Sequence, residues 1–189
     1  MVDPEELIRR YKKLKNLSFL EGLDCLKDEE NRPALHGLKN MKNIIGLEIG
    51  VLYGVHAKHI LETYDIKTLH IIDPFDLLED NPDNLEGICM SYLRPYEDKL
   101  KVYKGFSEDA IDITPNNLDF VYIDGDHSYK GVIYDIIHYY HKVRKGGILG
   151  GHDYVAERAP YCVAAVNQMS LFLKEKIHTE HWDWCLIKE

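Results

Sequence analysis

The chain has 189 residues, of which 45% are hydrophobic and 29% charged, and its 32 acidic against 23 basic side chains leave a formal net charge of −9. This acidic balance argues against a nucleic-acid partner, because affinity for nucleic acids depends largely on Lys and Arg contacts to phosphates. No apolar run approaches the roughly 20 residues of a membrane-spanning helix, so the composition predicts one globular core and no membrane partner.

The N-terminal sequence and the cysteines bear on the cellular compartment. The start MVDPEELIRRYKK has no short apolar core followed by a cleavage-like site, so we expect no secretory signal and a cytoplasmic protein. The four cysteines are widely spaced and form no CxxC pair, which favours buried free thiols over a zinc site or a redox motif. They are Cys25, Cys89, Cys162 and Cys185.

The first 42 residues are predicted to form a helical extension. Asp3 is suited to cap a helix and Pro4 to occupy its first position. An apolar stripe at helical spacing follows, formed by Leu7, Tyr11, Leu14 and Leu17. Residues 31–40, with Pro33 and Gly37, are predicted to connect this extension to a domain that spans residues 43–189.

Strand and helix signals alternate from residue 43 onward, which predicts an α/β fold. The predicted strands are 43–49, 67–73, 100–104, 118–124 and 148–151, with one long or two short strands in 177–188. The predicted helices are 55–64, 85–98 around Pro95, 130–144 ended by Gly146 and Gly147, and 161–174, with a loop at 74–84. Ligands of open α/β sheets bind beyond the carboxyl ends of the strands. Polar residues at those ends are Glu48, Asp73, Asp124, His152 and Asp153.

The end of the first predicted strand carries a glycine-rich turn with Gly50 and Gly54. Its spacing is GxxxG and not the GxGxxG that binds a pyrophosphate, and Glu48 would repel a diphosphate but attract an ammonium or sulfonium group. Asp73 ends the second strand at about the offset where an acid binds ribose hydroxyls. The alternatives are a purely structural turn and an Asp73 that caps the chain before Pro74.

Five segments in the same order resemble class I S-adenosylmethionine-dependent methyltransferases. They are GLEIGVLYG, IIDPFD, KGFSEDA, LDFVYIDGDHSY and KGGILGGHDY. IDGDHSY and GHDY are most similar to a compact subgroup that includes the macrolide-sugar O-methyltransferases. The resemblance covers about residues 43–187, and it implies a single-domain Rossmann-like sheet, mostly parallel with an antiparallel terminal strand and helices on both faces.

The resemblance also implies how S-adenosylmethionine is bound. Glu48 and Gly50 would contact its amino acid part, and Asp73 would hold its ribose. Phe106 and Ser107, in the turn after the third strand, would lie against the adenine, although Ser107 is equally suited to cap a helix. The remaining predicted cofactor contacts are Tyr53, Gly54 and Asp124.

A metal site is predicted beside the cofactor. In the metal-dependent sugar O-methyltransferases, an Asp at the position of Asp124 and an acidic pair at positions 152 and 153 bind the metal. Carboxylates and water suit Mg²⁺, the first choice here. Because His152 stands where the family has an acid, Zn²⁺, Fe²⁺ and Mn²⁺ are alternatives.

His127 matches the general base of those enzymes, and an imidazole with an ordinary pKa near 6.5 can take a proton from a hydroxyl nucleophile. The alternative is that His127 and Asp126 only cap the next helix, which we favour for Asp126. The other histidines of the predicted helices are interpreted as solvated surface: His56, His59, His138 and His141.

The resulting hypothesis is methyl transfer to a hydroxyl of a small acceptor, sugar-like or otherwise hydroxylated, with Asp124 and His127 as catalytic residues and metal assistance left open. One rival is a regulatory protein that binds S-adenosylmethionine without turnover. The other is a nicotinamide-dependent oxidoreductase, which the missing GxGxxG and the presence of Glu48 disfavour. A homodimer through the N-terminal helix or a sheet edge is one arrangement consistent with the sequence.

Overall fold

The computed structural model describes residues 32–75 and 85–189. Its strands are β1 (Ile44–Ile49), β2 (Ile66–Asp73), β3 (Leu100–Lys104), β4 (Leu118–Ile123), β5 (Val143–Gly151), β6 (His178–Glu180) and β7 (Asp183–Ile187). Within the described ranges they form one sheet in the order β3-β2-β1-β4-β5-β7-β6. The first five strands pair in parallel, and β7 is antiparallel to both β5 and β6. The predicted α/β fold is confirmed.

Helices cover both faces of the sheet. They are α1 (Val55–Thr63), α2 (Leu85–Leu93), α3 (Ser107–Ala110), α4 (Tyr129–Tyr140) and α5 (Pro160–Leu173), with 3-10 turns at Pro33–Leu38 and Arg94–Lys99. One buried cluster joins α1, α2 and the first 3-10 turn to the sheet, and a second joins α4 and α5 to the opposite face. The central strands β1 and β4 are therefore apolar along nearly their whole length, as strands covered on both faces must be.

The predicted helix 130–144 was wrong at its C-terminal end. Helix α4 stops at Tyr140, and Val143 begins β5, where it pairs with Leu118 of β4. Val143 continues the apolar stripe of the helix, but it also fits a buried strand position, and pairing along β4 decides between them. Gly146 and Gly147 consequently lie inside β5, and Gly146 has a φ of 69°.

Two smaller differences follow from local chemistry. The predicted helix 85–98 divides into α2 and a 3-10 turn, because Pro95 cannot donate the backbone hydrogen bond that an α-helix needs. The connection predicted for residues 31–40 contains the turn Pro33–Leu38, whose Ala34, Leu35 and Leu38 are buried in the core.

Some predictions lie outside the described residues, namely the N-terminal helix in residues 1–31 and most of the loop 74–84. The division at residue 43 stays a prediction. In the described part of the chain, Cys89, Cys162 and Cys185 are free thiols, as predicted. Among the same residues, none of the helices has the length and apolar character needed to cross a membrane.

The order of the strands decides where a ligand can bind. From β1 the chain proceeds to β2 and β3 on one side, and then returns to β4 and β5 on the other. The carboxyl ends are level, since Ile49 is in register with Ile72 on one side and with Ile123 on the other. The polar residues that follow β1, β2, β4 and β5 therefore meet at one edge of the sheet, at the switch point between β1 and β4.

Candidate active site

Gly50 lies at the switch point and touches the end of β4. It has a φ of 82°, and a Cβ at this position would lie 2.1 Å from the carbonyl oxygen of Asp124. Glycine is thus required both for the backbone conformation and for the close approach. The same contact places the glycine-rich turn directly against Asp124. Gly54 also has a positive φ, 79°, and occupies the N-cap position just before α1.

Asp73 is buried beneath this turn and holds it in place. Its Oδ2 accepts hydrogen bonds from the backbone N–H groups of Val51 at 2.7 Å and Leu52 at 2.8 Å, and its Oδ1 accepts one from Phe75 at 2.7 Å. The bond to Phe75 is the local cap around Pro74 that the sequence offered as an alternative. A carboxylate has about four acceptor positions, so one remains for a ribose hydroxyl. The ribose role stays a prediction.

Glu48 was expected at an open mouth, but in the structure it is only 1% exposed. Its Oε1 lies 3.0 Å from Nδ1 of His56, in the first turn of α1. The interpretation of His56 as solvated surface was wrong, because α1 packs this ring against the Tyr122 ring, with centroids 4.3 Å apart. Burial, and then the charge of Arg32, lower the pKa of His56 well below its ordinary value. Tyr53 and Gly54 are also buried, and their cofactor contacts stay predictions.

The turn after β3 is attached to α4. Ser107 does not cap α3, whose cap position is Phe106; its hydroxyl instead donates a 2.5 Å hydrogen bond to Oδ1 of Asp135. The hydroxyl of Tyr139 donates to the Ser107 carbonyl oxygen at 2.7 Å. Burial raises the pKa of Asp135 to about 7. The Phe106 side chain is exposed, and its predicted contact with adenine stays untested.

Four ionisable side chains meet beyond β4 and β5. His127 Nε2 lies 3.5 Å from Asp124 Oδ1 and 3.2 Å from Asp153 Oδ2. His152 Nδ1 lies 3.9 Å and 3.4 Å from the same two oxygens. We call Asp124, His127, His152 and Asp153 the acid–imidazole cluster. The structure thus brings together every residue that was predicted as catalytic or metal-binding.

The protonation of this cluster follows from its geometry. The hydrogen bond with Asp124 raises the pKa of His127 to about 9, against the opposing effect of burial and with help from the charge of Asp153. Burial alone would raise the pKa of Asp124, but the hydrogen bond from His127 and the charges of Arg32 and His152 hold it well below the ordinary range. The two groups therefore form an ion pair.

A divalent metal fits this cluster. One ligand atom each from Asp124, His152 and Asp153 can be chosen so that all three lie within 4.8 Å of one another. Two carboxylate oxygens and one imidazole nitrogen suit Mn²⁺, Fe²⁺ or Zn²⁺ better than Mg²⁺, which strongly prefers oxygen. Asp153 has a φ of 62°, a left-handed conformation that Asp tolerates better than most residues and that is common at functional sites.

Asp126 has a structural role, as the alternative interpretation held. Its side chain accepts hydrogen bonds from the backbone N–H of Ser128 at 2.8 Å and from the Ser128 hydroxyl at 2.9 Å. Ser128 in turn caps α4 by accepting from the Gly131 N–H. Asp126 therefore fixes the start of α4 and, with it, the segment that carries His127.

Sequence reasoning missed Arg32, Tyr122 and Asp183, which lie behind the cluster. Arg32 Nη1 donates to the Tyr122 hydroxyl at 2.6 Å and lies 3.6 Å from Asp124 Oδ2. The Tyr122 hydroxyl donates to Asp183 Oδ1 at 2.9 Å. Although burial disfavours its charged form, the Arg32 guanidinium has a pKa above the ordinary value, because Tyr122, Asp124 and Asp183 surround it. No local pattern reveals this contact, which joins residues 90 positions apart.

Tyr92, Tyr96, Tyr154 and Trp182 are aromatic residues that could stack on an acceptor ring, and of these four Trp182 lies beside the acid–imidazole cluster. Its ring lies 5.7 Å from the His152 ring, and the Arg158 guanidinium lies over it at 4.5 Å. Tyr154 is bonded to Asn167, Tyr96 to Glu62, and Tyr92 lies under Lys58. His138 is bonded to the Tyr134 carbonyl oxygen within its own helix.

Comparisons with known sequences point to one family. Residues 47–154, more than half of the chain, match the profile of a family described as a methyltransferase domain. A protein of Acanthamoeba polyphaga mimivirus, described as uncharacterized protein R132, is 30% identical over 149 residues. The match covers 71% of this chain and 65% of that protein's own length.

Solved structures with the same fold include two named methyltransferases. The O-methyltransferase NovP superposes with a TM-score of 0.62 at 20% identity, covering 86% of this chain and 78% of its own. The MycE methyltransferase of the mycinamycin biosynthetic pathway, solved with Mg, SAH and mycinamycin VI, superposes with a TM-score of 0.58 at 16% identity. That match covers 99% of this chain and 54% of MycE. At these identities the likeness concerns the fold.

Proposed function

The chain belongs to the class I S-adenosylmethionine-dependent methyltransferases, and we propose that within this family it methylates a hydroxyl group of a small hydroxylated acceptor, with help from a divalent metal. The observation that carries the proposal is the position of His127, whose Nε2 lies within 3.5 Å of both Asp124 and Asp153. A base and two carboxylates that could bind a metal therefore lie together at the switch point of the sheet, where ligands of open α/β sheets bind.

The residues divide the work as follows. Asp124, His152 and Asp153 would hold the cation. Its charge would offset the two carboxylates that keep His127 protonated, so that His127 would lose its proton to solvent and could then take the proton of the acceptor hydroxyl at Nε2. A cation bound there would lower the pKa of a hydroxyl group that it contacts and would neutralise the two carboxylates. The hydroxyl oxygen then attacks the methyl carbon in line, a C–O bond forms, the C–S bond breaks, and S-adenosylhomocysteine leaves. Binding both reactants in this geometry supplies proximity.

The opposite half of the switch point would hold the cofactor. The turn around Gly50 touches Asp124 through its backbone, so a ligand on that turn is adjacent to the acid–imidazole cluster. Asp73 would complete its acceptor positions with a ribose hydroxyl, and Phe106 would cover the adenine. Trp182, beside His152, would form one wall for the acceptor. Sugar acceptors suit such a wall, since carbohydrate rings stack on aromatic faces. A cytoplasmic location and a homodimer stay predictions.

The test is turnover with a panel of hydroxylated acceptors. The protein is incubated with S-adenosylmethionine and Mg²⁺ or Mn²⁺, and S-adenosylhomocysteine and methylated product are measured by mass spectrometry, with and without a chelator. His127→Ala should lower kcat at least 100-fold and leave cofactor binding unchanged, because a general base contributes roughly 10²–10⁴ to the rate. His141→Ala is the control and should behave as wild type, because His141 is exposed just beyond the C-terminal end of α4, the end opposite His127.

Three outcomes would contradict the proposal or a part of it. Tight cofactor binding without any turnover across the panel would favour the regulatory rival. Normal turnover by His127→Ala would remove His127 as the base, and indifference to the chelator would remove the metal while leaving methyl transfer intact.

A further inference from the structure

We propose that Arg32 is a positioning residue of the active site, which orients the Asp124 carboxylate for metal binding through a buried anchor formed by Arg32, Tyr122 and Asp183. This inference rests on the proposed function. It assigns a role to a residue that precedes the first strand of the domain. Both Arg32 and Asp183 lie outside residues 47–154, the part that matches the family profile.

The two oxygens of Asp124 face different partners. Oδ1 lies 3.5 Å from His127 and 3.9 Å from His152, on the side where the metal ligands meet. Oδ2 lies 3.6 Å from Arg32 Nη1, on the side of the core. A carboxylate held by a cation at one oxygen presents the other in a fixed direction, so Arg32 determines which oxygen the metal meets.

Arg32 is itself rigidly held. The residue is only 8% exposed, and Nη1 reaches the Tyr122 hydroxyl at 2.6 Å and Asp183 Oδ1 at 3.8 Å. Tyr122 lies two residues before Asp124, so the two side chains leave the chain on the same face. Asp183 also accepts from the backbone N–H of Ala34 at 3.4 Å, which joins the anchor to the chain beside Arg32.

A buried guanidinium next to a cation site has two opposite effects. Its positive charge, a few ångströms from the cluster, repels a second cation, so losing it would tighten metal binding if charge alone mattered. Its contact with Asp124 orients that carboxylate as a metal ligand, so the loss of Arg32 would weaken metal binding if position mattered. The sign of the change in Mn²⁺ affinity therefore separates a positioning residue from a bystander.

The experiment is isothermal titration of the protein with MnCl₂ in the presence of S-adenosylhomocysteine. Arg32→Gln should raise the Kd for Mn²⁺ at least fivefold, and Arg32→Lys, which keeps the charge, should recover part of the loss. In turnover assays the kcat of Arg32→Gln should return toward the wild-type value at saturating Mn²⁺. Arg144→Gln is the matched control: Arg144 pairs with Asp119 at 2.7 Å, at the start of the strand that Asp124 follows, and its loss should leave the Kd unchanged.

Tyr122→Phe keeps the proposal testable if Arg32→Gln does not fold. The ring and its contact with His56 remain, while Arg32 loses the hydroxyl oxygen to which it donates, so the Kd should rise about twofold. Equal or tighter Mn²⁺ binding by the Arg32→Gln and Tyr122→Phe variants would overturn the role. A wild-type protein that binds no Mn²⁺ would overturn it too, whereas product formation in the chelator arm of the acceptor panel would then still support methyl transfer.

Discussion

The two halves of the switch point hold their carboxylates in different ways. On the side of β1 to β3, Asp73 is bonded to backbone N–H groups, Glu48 is buried beside the His56 imidazole, and Asp135 of α4 accepts from the serine hydroxyl of the turn after β3. On the side of β4 and β5, Asp124 and Asp153 face the imidazoles of His127 and His152, and Asp124 also faces a guanidinium. The first half is suited to hold a shape, and the second to exchange protons and cations.

Exposure follows the same division. Asp73 is 6% exposed and Glu48 only 1%. In the acid–imidazole cluster the side chain of His127 is 51% exposed and that of Asp124 22%. Solvent, an acceptor or an ion can therefore reach the side chains of the second half, whereas protein encloses the carboxylates of the first half. Substitutions in the second half should therefore affect chemistry, whereas substitutions in the first should affect cofactor affinity and stability.

The largest effect is expected from Asp124→Asn. It removes the partner of His127 and a charged metal ligand, so kcat/KM should fall at least 1,000-fold and Mn²⁺ binding should be lost, while the fold persists. Steady-state methylation and Mn²⁺ titration measure the two effects. Asp126→Asn, two residues away and hydrogen-bonded to Ser128 alone among the described residues, is the control and should stay within about threefold of wild type. Similar losses in both variants would mean that the segment, and not the ion pair, matters.

A smaller effect, on the other half, is expected from Asp73→Ala. The backbone N–H groups of Val51, Leu52 and Phe75 lose their acceptor, each at a cost of roughly 1–3 kcal/mol, and the predicted ribose contact is lost. The Kd for S-adenosylhomocysteine should rise roughly 100-fold by titration calorimetry, with a lower midpoint of thermal unfolding. Asp73→Asn, which keeps one acceptor oxygen, should lose less on both measures. Unchanged affinity in a destabilised protein would leave Asp73 as a cap only.

The sequence was sufficient for the fold and for the residues at the strand ends, because buried parallel strands are apolar runs and the first polar residue after each run stands at the ligand edge. It could not show which carboxylates are enclosed. Whether Glu48 lines an opening or pairs with His56 depends on how α1 packs. The contact of Arg32 with Asp124 depends on how the turn Pro33–Leu38 packs against the sheet, and a single arginine before Pro33 does not indicate that contact. Val143 satisfied both periodicities, so pairing along the sheet was needed to end α4.

The last and smallest effect concerns Asp135, the buried carboxyl behind the cofactor half. Its pKa in the folded protein is about 7, above the ordinary 3.8 of the unfolded chain, because burial disfavours the charge. The folded state therefore binds the proton more tightly, and the stability that this provides is complete below about pH 4 and is lost as the pH rises through 7. Between pH 5 and 8 the free energy of unfolding should fall by roughly 2–3 kcal/mol on this account. Urea unfolding of wild type and of Asp135→Asn at pH 5 and pH 8 isolates the contribution of Asp135. Because an amide does not titrate, the decrease in the free energy of unfolding between the two pH values should be smaller in the variant by the amount that Asp135 contributes. A fall of equal size in both proteins would mean that Asp135 is ionised in the folded state as it is in the unfolded chain.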